Sequence, residues 1–201
     1  MLEKINEVLK FWFNEQATFD STYGRALWDE ENTAFDTEFK HQFESLYYIA
    51  VKGKLNSWLR QPKSCLAFII LVHQMPRRIY RGTPTAYQFD PLAIKAAEKG
   101  RDHKLDKDLL LIERLFFYIP YMYSEEIMHQ RLSLILFQKL LNEAKEQKDP
   151  ALDLLNKFNS IAMQNCAIIQ SFDRFPTRNE ILGRESTQAE TLFLNFPNNY
   201  C

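Results

Sequence analysis

Glycine is scarce in this chain, with five in 201 residues. Glycine supplies the tight turns of β-hairpins, so its scarcity argues against a sheet protein and for helices joined by a few loops. An excess of charge is also lacking. The formal net charge is −1, so the basic surplus common in nucleic-acid binders is missing and no nucleic-acid partner is expected. Neither end carries an acidic or basic tail. The three cysteines, Cys65, Cys166 and Cys201, are odd in number and widely spaced. That pattern fits free thiols in a reducing compartment, two as small core residues and one in the tail. Long apolar runs are absent too. The longest, Cys65 to Val72, falls far short of the ~20 residues needed to cross a bilayer. The first ten residues alternate charged with apolar side chains, unlike a signal peptide. No membrane span is expected, and the expected location is the cytoplasm.

What is present fits a single helical domain over residues 1–201. A chain of this length buries roughly 70% of its unfolded surface, so it needs no disulfide or metal staple. Hydrophobic residues at 46% and charged residues at 25% give a globular balance. Sixteen Phe, nine Tyr and three Trp can fill the core with large rigid groups. No Pro/Gly/Ser-rich linker divides the chain.

Helical periodicity opens at Leu2, Ile5, Val8 and Leu9, followed by a loop to about Asp29 with Trp28 as its anchor. Phe35, Phe39, Phe43, Leu46 and Tyr47 line one face of a second helix ending near Gly53. Leu55 to Leu59 suits a short turn, and Pro62 suits the first turn of a third helix. The run Cys65 to Val72 is apolar all round and predicts a buried helix that Pro76 ends or kinks. Asp90-Pro91 reads as cap and first position of the next, with Gly100 as its stop. A helix from about Lys107 to Tyr118 is interrupted at Pro120. Ser124 caps another, which runs to about Glu146, and Asp149-Pro150 opens one to about Phe172. Thr187-Gln-Ala-Glu190 has capping-box spacing. About eight or nine helices with short connections predict stacked antiparallel hairpins. No clear 34-residue repeat is visible.

Familiar catalytic signatures are missing: no Gly-x-Ser-x-Gly, no phosphate-cradling glycine loop, no His-Glu-x-x-His, no Cys-x-x-Cys. No cofactor is expected. Glu38-x-x-His41 and Glu126-x-x-His129 have metal-ligand spacing, as in di-iron bundles. His41, however, lies opposite the Phe35-Phe39-Phe43 stripe, so both pairs read as surface residues and no metal is expected. His73, beside Gln74 at the end of the buried helix, is either a general base or a hydrogen-bonded core residue.

Arginine is the most informative residue type. Six of eleven fall in two proline-marked stretches, Arg77-Arg78-Ile79-Tyr80-Arg81 and Arg174 to Arg184 with Arg178 between. The guanidinium fork grips carboxylate or phosphate in a bidentate way that lysine cannot copy. The two loops either meet in an anion pocket, or their arginines cap helix ends and pair with Glu113, Glu125 or Glu185. A third segment, Phe116 to Glu125, is aromatic and broken by Pro120. It forms either a pocket wall with Ser124 and Glu125 at the rim or part of the core.

These segments carry a resemblance. Phe11-Trp-Phe13, Gln74-Met-Pro-Arg77, Ile79-Tyr-Arg81-Gly-Thr-Pro84 and Asp90 stand in order along the chain. Tyr118-Ile-Pro120, Ser124-Glu125, Gln130, Arg174-Phe-Pro-Thr-Arg178-Asn179 and Ile181-Leu-Gly-Arg184-Glu-Ser-Thr187 follow. Together they resemble the family catalogued as domain of unknown function 924. The resemblance implies a tetratricopeptide-like fold of α-hairpins and puts the same segments forward as a site, with no established activity. This chain departs from the family pattern where relatives tend to have Asp at His73, Asn at Arg78, His at Tyr123, His at Asn165 and Gly at Asp173. If the family site is catalytic, the loss of an Asp and two His implies an altered or inactive member.

The reading drawn from this is a non-catalytic binding module whose arginine-lined groove accepts an anionic small molecule or an acidic peptide end. Arg77, Arg81, Arg178 and Arg184 are expected to hold the anion and Gln74, Ser124, Glu125 and Asn179 to orient it, with Arg174 and Gln130 also expected among the ligand-binding residues. The alternative is an enzyme acting on a phosphorylated or carboxylated metabolite, with His73 as base and Glu125 as acid. A third reading makes the arginines structural and gives the surface to a protein partner.

Overall fold

The computed structural model describes residues 2–13 and 33–196, which hold helices and turns and no strand. The expected anchor Trp28 with its loop and the tail residue Cys201 lie outside the described residues. The all-helical class expected from glycine scarcity and periodicity is what the structure shows.

In chain order the helices are α1 (Leu2–Phe13), α2 (Thr33–Val51), α3 (Pro62–Ile69, continuing beyond), α4 (Asp90–Asp102), α5 (Leu111–Met122), α6 (Ile127–Gln147), α7 (Leu152–Phe172) and α8 (Gln188–Asn195). Helix α3 passes through a π-helical turn at Ile70–Gln74 and resumes as Met75–Ile79. Short 3-10 turns stand at Asn56–Arg60, Pro84–Ala86, Leu105–Asp108 and Pro176–Arg178.

The aromatic stripe of α2 does what its spacing requires: Phe39, Phe43 and Tyr47 are buried. Phe11 of α1 stacks on Phe39 at 5.2 Å between ring centres, and Trp12 meets Phe116 of α5 edge-on at 5.5 Å. Residues 64–69 of α3 and all of α5 are buried. Around these two, α4 packs on α3 and α5, α6 packs on α5, and α7 packs on α6 and α5. The later part of α3 rests on α2. Helices α6 and α7, joined only by residues 148–151, pack extensively against each other as an antiparallel hairpin.

Three local readings are corrected by tertiary packing. Pro76 does not end α3. Lacking an N–H, it cannot bond the Val72 carbonyl, and the helix widens just ahead of it: Met75 N–H reaches back to the carbonyl of Ile70. Pro120 lies inside α5, in its last turn, where the surrounding core holds the helix together. Gly100 is not a stop. It sits within α4 because a Cβ there would stand 2.4 Å from Cζ of Phe117, so only glycine lets α4 and α5 approach so closely. Gly53, by contrast, terminates α2 as expected, at a left-handed φ of 73°. Cys65 and Cys166 are buried free thiols.

Candidate functional site

The π turn sets the angular position of everything after it on α3, and it delivers His73, Gln74 and Arg77 to one end of the molecule. The Tyr123 end of the aromatic segment and the Arg178 loop arrive at the same place. Arg178 donates from Nη2 to the Tyr123 carbonyl at 2.9 Å. The Arg77 guanidinium lies 5.3 Å from the Tyr123 ring centre and 5.5 Å from that of Tyr87. The three segments singled out in the sequence therefore converge.

Two cavities open here. One, of about 490 Å³, is lined by Gln74, Arg77, Arg78, Arg81, Asn165 and Arg178 among others. The second, of about 840 Å³, is lined by Asp90, Glu98, Ser124, Glu125, His129 and Arg178 among others. Tyr87, Tyr123 and Arg178 border both and form the partition between them.

Arg77 grips Asp90 with both terminal nitrogens, at 2.7 and 2.6 Å, and also donates to the His73 carbonyl at 3.0 Å. Asp90 therefore gives its carboxylate to Arg77 and makes no side-chain cap for α4, contrary to the sequence expectation. His73 is fully buried. Burial first, then the charges of Arg77 and Arg178, hold its pKa well below the ordinary histidine range. Its Nδ1 lies 3.0 Å from Gln74 Nε2, a donor, so the proton of this neutral ring sits on Nε2, 4.0 Å from Asp90 Oδ1.

Arg178 differs from its neighbours. It is only 8% exposed and stacks on Phe175 at 4.3 Å and Tyr87 at 4.7 Å. Arg77 is held by Asp90 and Arg78 by Asp36, and Arg81 faces Asp36 at 3.8 Å. Among the described residues no carboxylate comes within ion-pair reach of Arg178. Burial and the repulsion of Arg77 pull its pKa below the usual arginine value, outweighing the attraction of Asp90 and Glu125 farther off.

The remaining candidates are ties within the fold. Arg184 holds both oxygens of Glu125 at 2.7 and 3.0 Å, and Glu125 also accepts from Phe175 N–H at 2.8 Å. Burial opposes the charge of Glu125, but those hydrogen bonds outweigh it and keep its pKa below the ordinary carboxylate range. Arg174 holds Glu190 in the same forked way, at 2.6 and 2.8 Å. Gln130 is fully buried and donates to the carbonyls of Met122 and Ser124. Asn179 donates to Ser186 Oγ at 3.0 Å. None of Gln130, Arg174, Asn179 and Arg184 lines either cavity.

Sequence reasoning missed His129, which it placed on the surface. The ring is half-buried between Ser124 and Glu98, with Nδ1 2.8 Å from Ser124 Oγ and Nε2 3.4 Å from Glu98 Oε1. Ser124 itself does not cap α6 directly. Its Oγ accepts from Glu126 N–H at 3.1 Å and fixes the turn ahead of the helix. The five-residue spacing of Ser124 and His129 was visible in the sequence, but Glu98 comes from another helix. His41, in contrast, is exposed as expected. Among the described residues no group of three or more His, Cys, Asp or Glu could hold a metal ion, and no helix is long and apolar enough to cross a membrane.

Comparison with known proteins agrees with the fold. A family model described as "Bacterial protein of unknown function (DUF924)" matches residues 8–198. The solved structure of a protein of unknown function from Agrobacterium tumefaciens is similar, with a TM-score of 0.74 and 28% identity, over 96% of this chain and 97% of that one. No curated protein matches in sequence.

Proposed function

We propose that this chain, which belongs to the DUF924 family, is a helical binding module that holds an anionic small molecule against Arg178. The observation that carries this reading is a buried guanidinium bordering both cavities with no carboxylate of its own. An unmatched buried cation is expensive, and a bound carboxylate or phosphate would offset that cost. Arg77 and Arg81 add positive charge on the 490 Å³ side, where Gln74 and Asn165 can orient a ligand. That volume suits a small molecule rather than a peptide, and the rings of Tyr87, Tyr123 and Phe175 suit one with a flat apolar body. The tetratricopeptide-like stacking implied by the family resemblance belongs to the same reading, with the hairpins forming the walls of the groove.

The pairing of His73 as base with Glu125 as acid has no support in this geometry. His73 is enclosed, and Glu125 is held charged by Arg184, so it has no proton to give. The purely structural reading of the arginines is favoured for Arg174 and Arg184, which are each engaged by a glutamate and line neither cavity.

Phenyl phosphate and benzoate, titrated in a thermal-shift assay, test the proposal. At 100 times its dissociation constant a ligand stabilises by about 2.7 kcal/mol. A shift is expected in wild type and in Arg174→Ala, and no shift in Arg178→Ala. If Arg178→Ala responds as wild type does, Arg178 is not the anchor.

A further inference from the structure

The 840 Å³ cavity contains a chain of groups that anion binding does not need. Ser124 Oγ, His129 Nδ1, His129 Nε2 and Glu98 Oε1 follow one another at 2.8 and 3.4 Å, and all three residues line the cavity. The hydrogen bonds are consistent with one proton arrangement. Glu98 beside Nε2 favours a proton there, which leaves Nδ1 to accept the Ser124 hydroxyl proton. This is the order nucleophile, base, orienting acid. The imidazole is turned end for end relative to the common serine-hydrolase arrangement, and such relays are recognised by geometry and roles.

We infer that Ser124 is a nucleophile activated by His129 and Glu98, and that this cavity takes a carboxylic ester and hydrolyses it through an acyl-serine. Ser124 Oγ attacks the ester carbonyl carbon while His129 Nδ1 takes the hydroxyl proton. The bond from the carbonyl carbon to the leaving oxygen breaks, and that oxygen receives the proton from His129 and departs as the alcohol. Water then attacks the acyl-serine and gives a proton to His129. The acyl bond to Oγ breaks, Oγ recovers the proton, and the carboxylic acid leaves. Water from solvent is the only co-reactant.

The surroundings fit these steps. Lys95 and Arg178 line the cavity and supply positive charge for the oxyanion and for an acidic substrate. The bond that Ser124 Oγ accepts from Glu126 N–H holds the oxygen in place and leaves its own proton free for His129. A serine that merely fixes a turn needs neither a histidine nor a glutamate behind it. The Tyr121 ring packs against His129 at 5.8 Å and limits its rotation. Glu98 on α4 is the carboxylate beside the imidazole, Arg101 on α4 lies over the Tyr121 ring, and Lys95, Glu125, Glu126 and Arg178 share the cavity lining. Glu98 touches no substrate in this scheme and is a positioning residue.

The inference goes beyond the anion reading and can fail without it. The test treats the full chain with diisopropyl fluorophosphate, locates the adduct by peptide mass, and follows p-nitrophenyl acetate hydrolysis. A single adduct on Ser124 is expected, absent in Ser124→Ala, with labelling at least ~100-fold slower in His129→Gln. Glu98→Gln lies outside the Ser124 turn. Its labelling should slow, and Glu98→Asp, which keeps a carboxylate behind the imidazole, should recover part of the rate. No adduct on a wild-type protein with intact helical circular dichroism overturns the inference, and so does an adduct elsewhere or one indifferent to His129→Gln. An anion-induced thermal shift that survives in Ser124→Ala separates this outcome from that of the binding proposal.

Discussion

Arg77 spans thirteen residues to take both oxygens of Asp90, tying the end of α3 to the start of α4. Both side chains are mostly enclosed, at 15% and 13% exposure. Asp90→Leu leaves Arg77 charged and unmatched, and breaking such a pair costs about 3–5 kcal/mol. Replacing both residues by leucine should cost less than that single change. Urea midpoints of the two singles and the double give the coupling directly. Additive single effects would show that the pair carries no energy of its own.

Gly100→Ala should destabilise the protein although alanine is the better helix former. The propensity gain is about 1 kcal/mol, and forcing a methyl into the Phe117 ring costs about 1–3 kcal/mol. A second change that shortens the ring, Phe117→Leu, should make Gly100→Ala nearly neutral. Thermal unfolding of the four proteins checks this.

His73 predicts a loss of stability in mild acid. Its folded pKa is depressed by burial, so below about 6.5 the unfolded chain binds a proton that the folded chain refuses. Stability therefore falls as pH drops below that value, by up to about 1.4 kcal/mol per pH unit from this residue. In His73→Asn, which keeps an acceptor for Gln74, the slope between pH 6.5 and 5 should flatten by nearly one proton. Equilibrium unfolding at each pH measures it.

Glu190 acts lower on the scale. The Arg174 fork, working against burial and aided by Thr187, pulls its pKa down to about 2. Its contribution is whole above about 4.3 and is lost as pH falls toward 2. Thr187→Ala removes the other half of the capping box and should cost about 1 kcal/mol at neutral pH. Glu190→Gln should lose the steep acid limb below pH 4. Acid titrations followed by circular dichroism distinguish the two variants.

The elements with strong local signals were legible in the chain. The Phe39-Phe43-Tyr47 stripe, the buried run after Pro62 and the Thr187 capping box all depend on neighbours within one or two turns. Gly100 was misread because its reason lies on another helix, at Phe117. Pro76 was read as an end or a kink because sequence alone does not show whether a helix will stop, bend or widen. The site divided along the same line. Residue type raised a meeting of the arginine-rich loops as one of two readings, but not which arginines are satisfied. Glu125 claims Arg184 from 59 residues away, and Glu190 claims Arg174 from 16. Arg178 stands out only once those partners are placed. His129 was hidden because Glu98, on α4, gives the ring its second contact.

The π turn at Ile70–Gln74 adds one residue's worth of backbone to α3 without lengthening the loop on either side. Each residue on a helix advances the facing direction by about 100°. Wound at ordinary α spacing, the same residues would carry the helix one position too far. Everything downstream, Arg77 and Arg78 included, would then swing about a quarter-turn around the axis, away from Asp90 and Asp36. The wide turn absorbs that extra residue, so deleting one residue inside it should leave an ordinary helix whose chemistry faces as before.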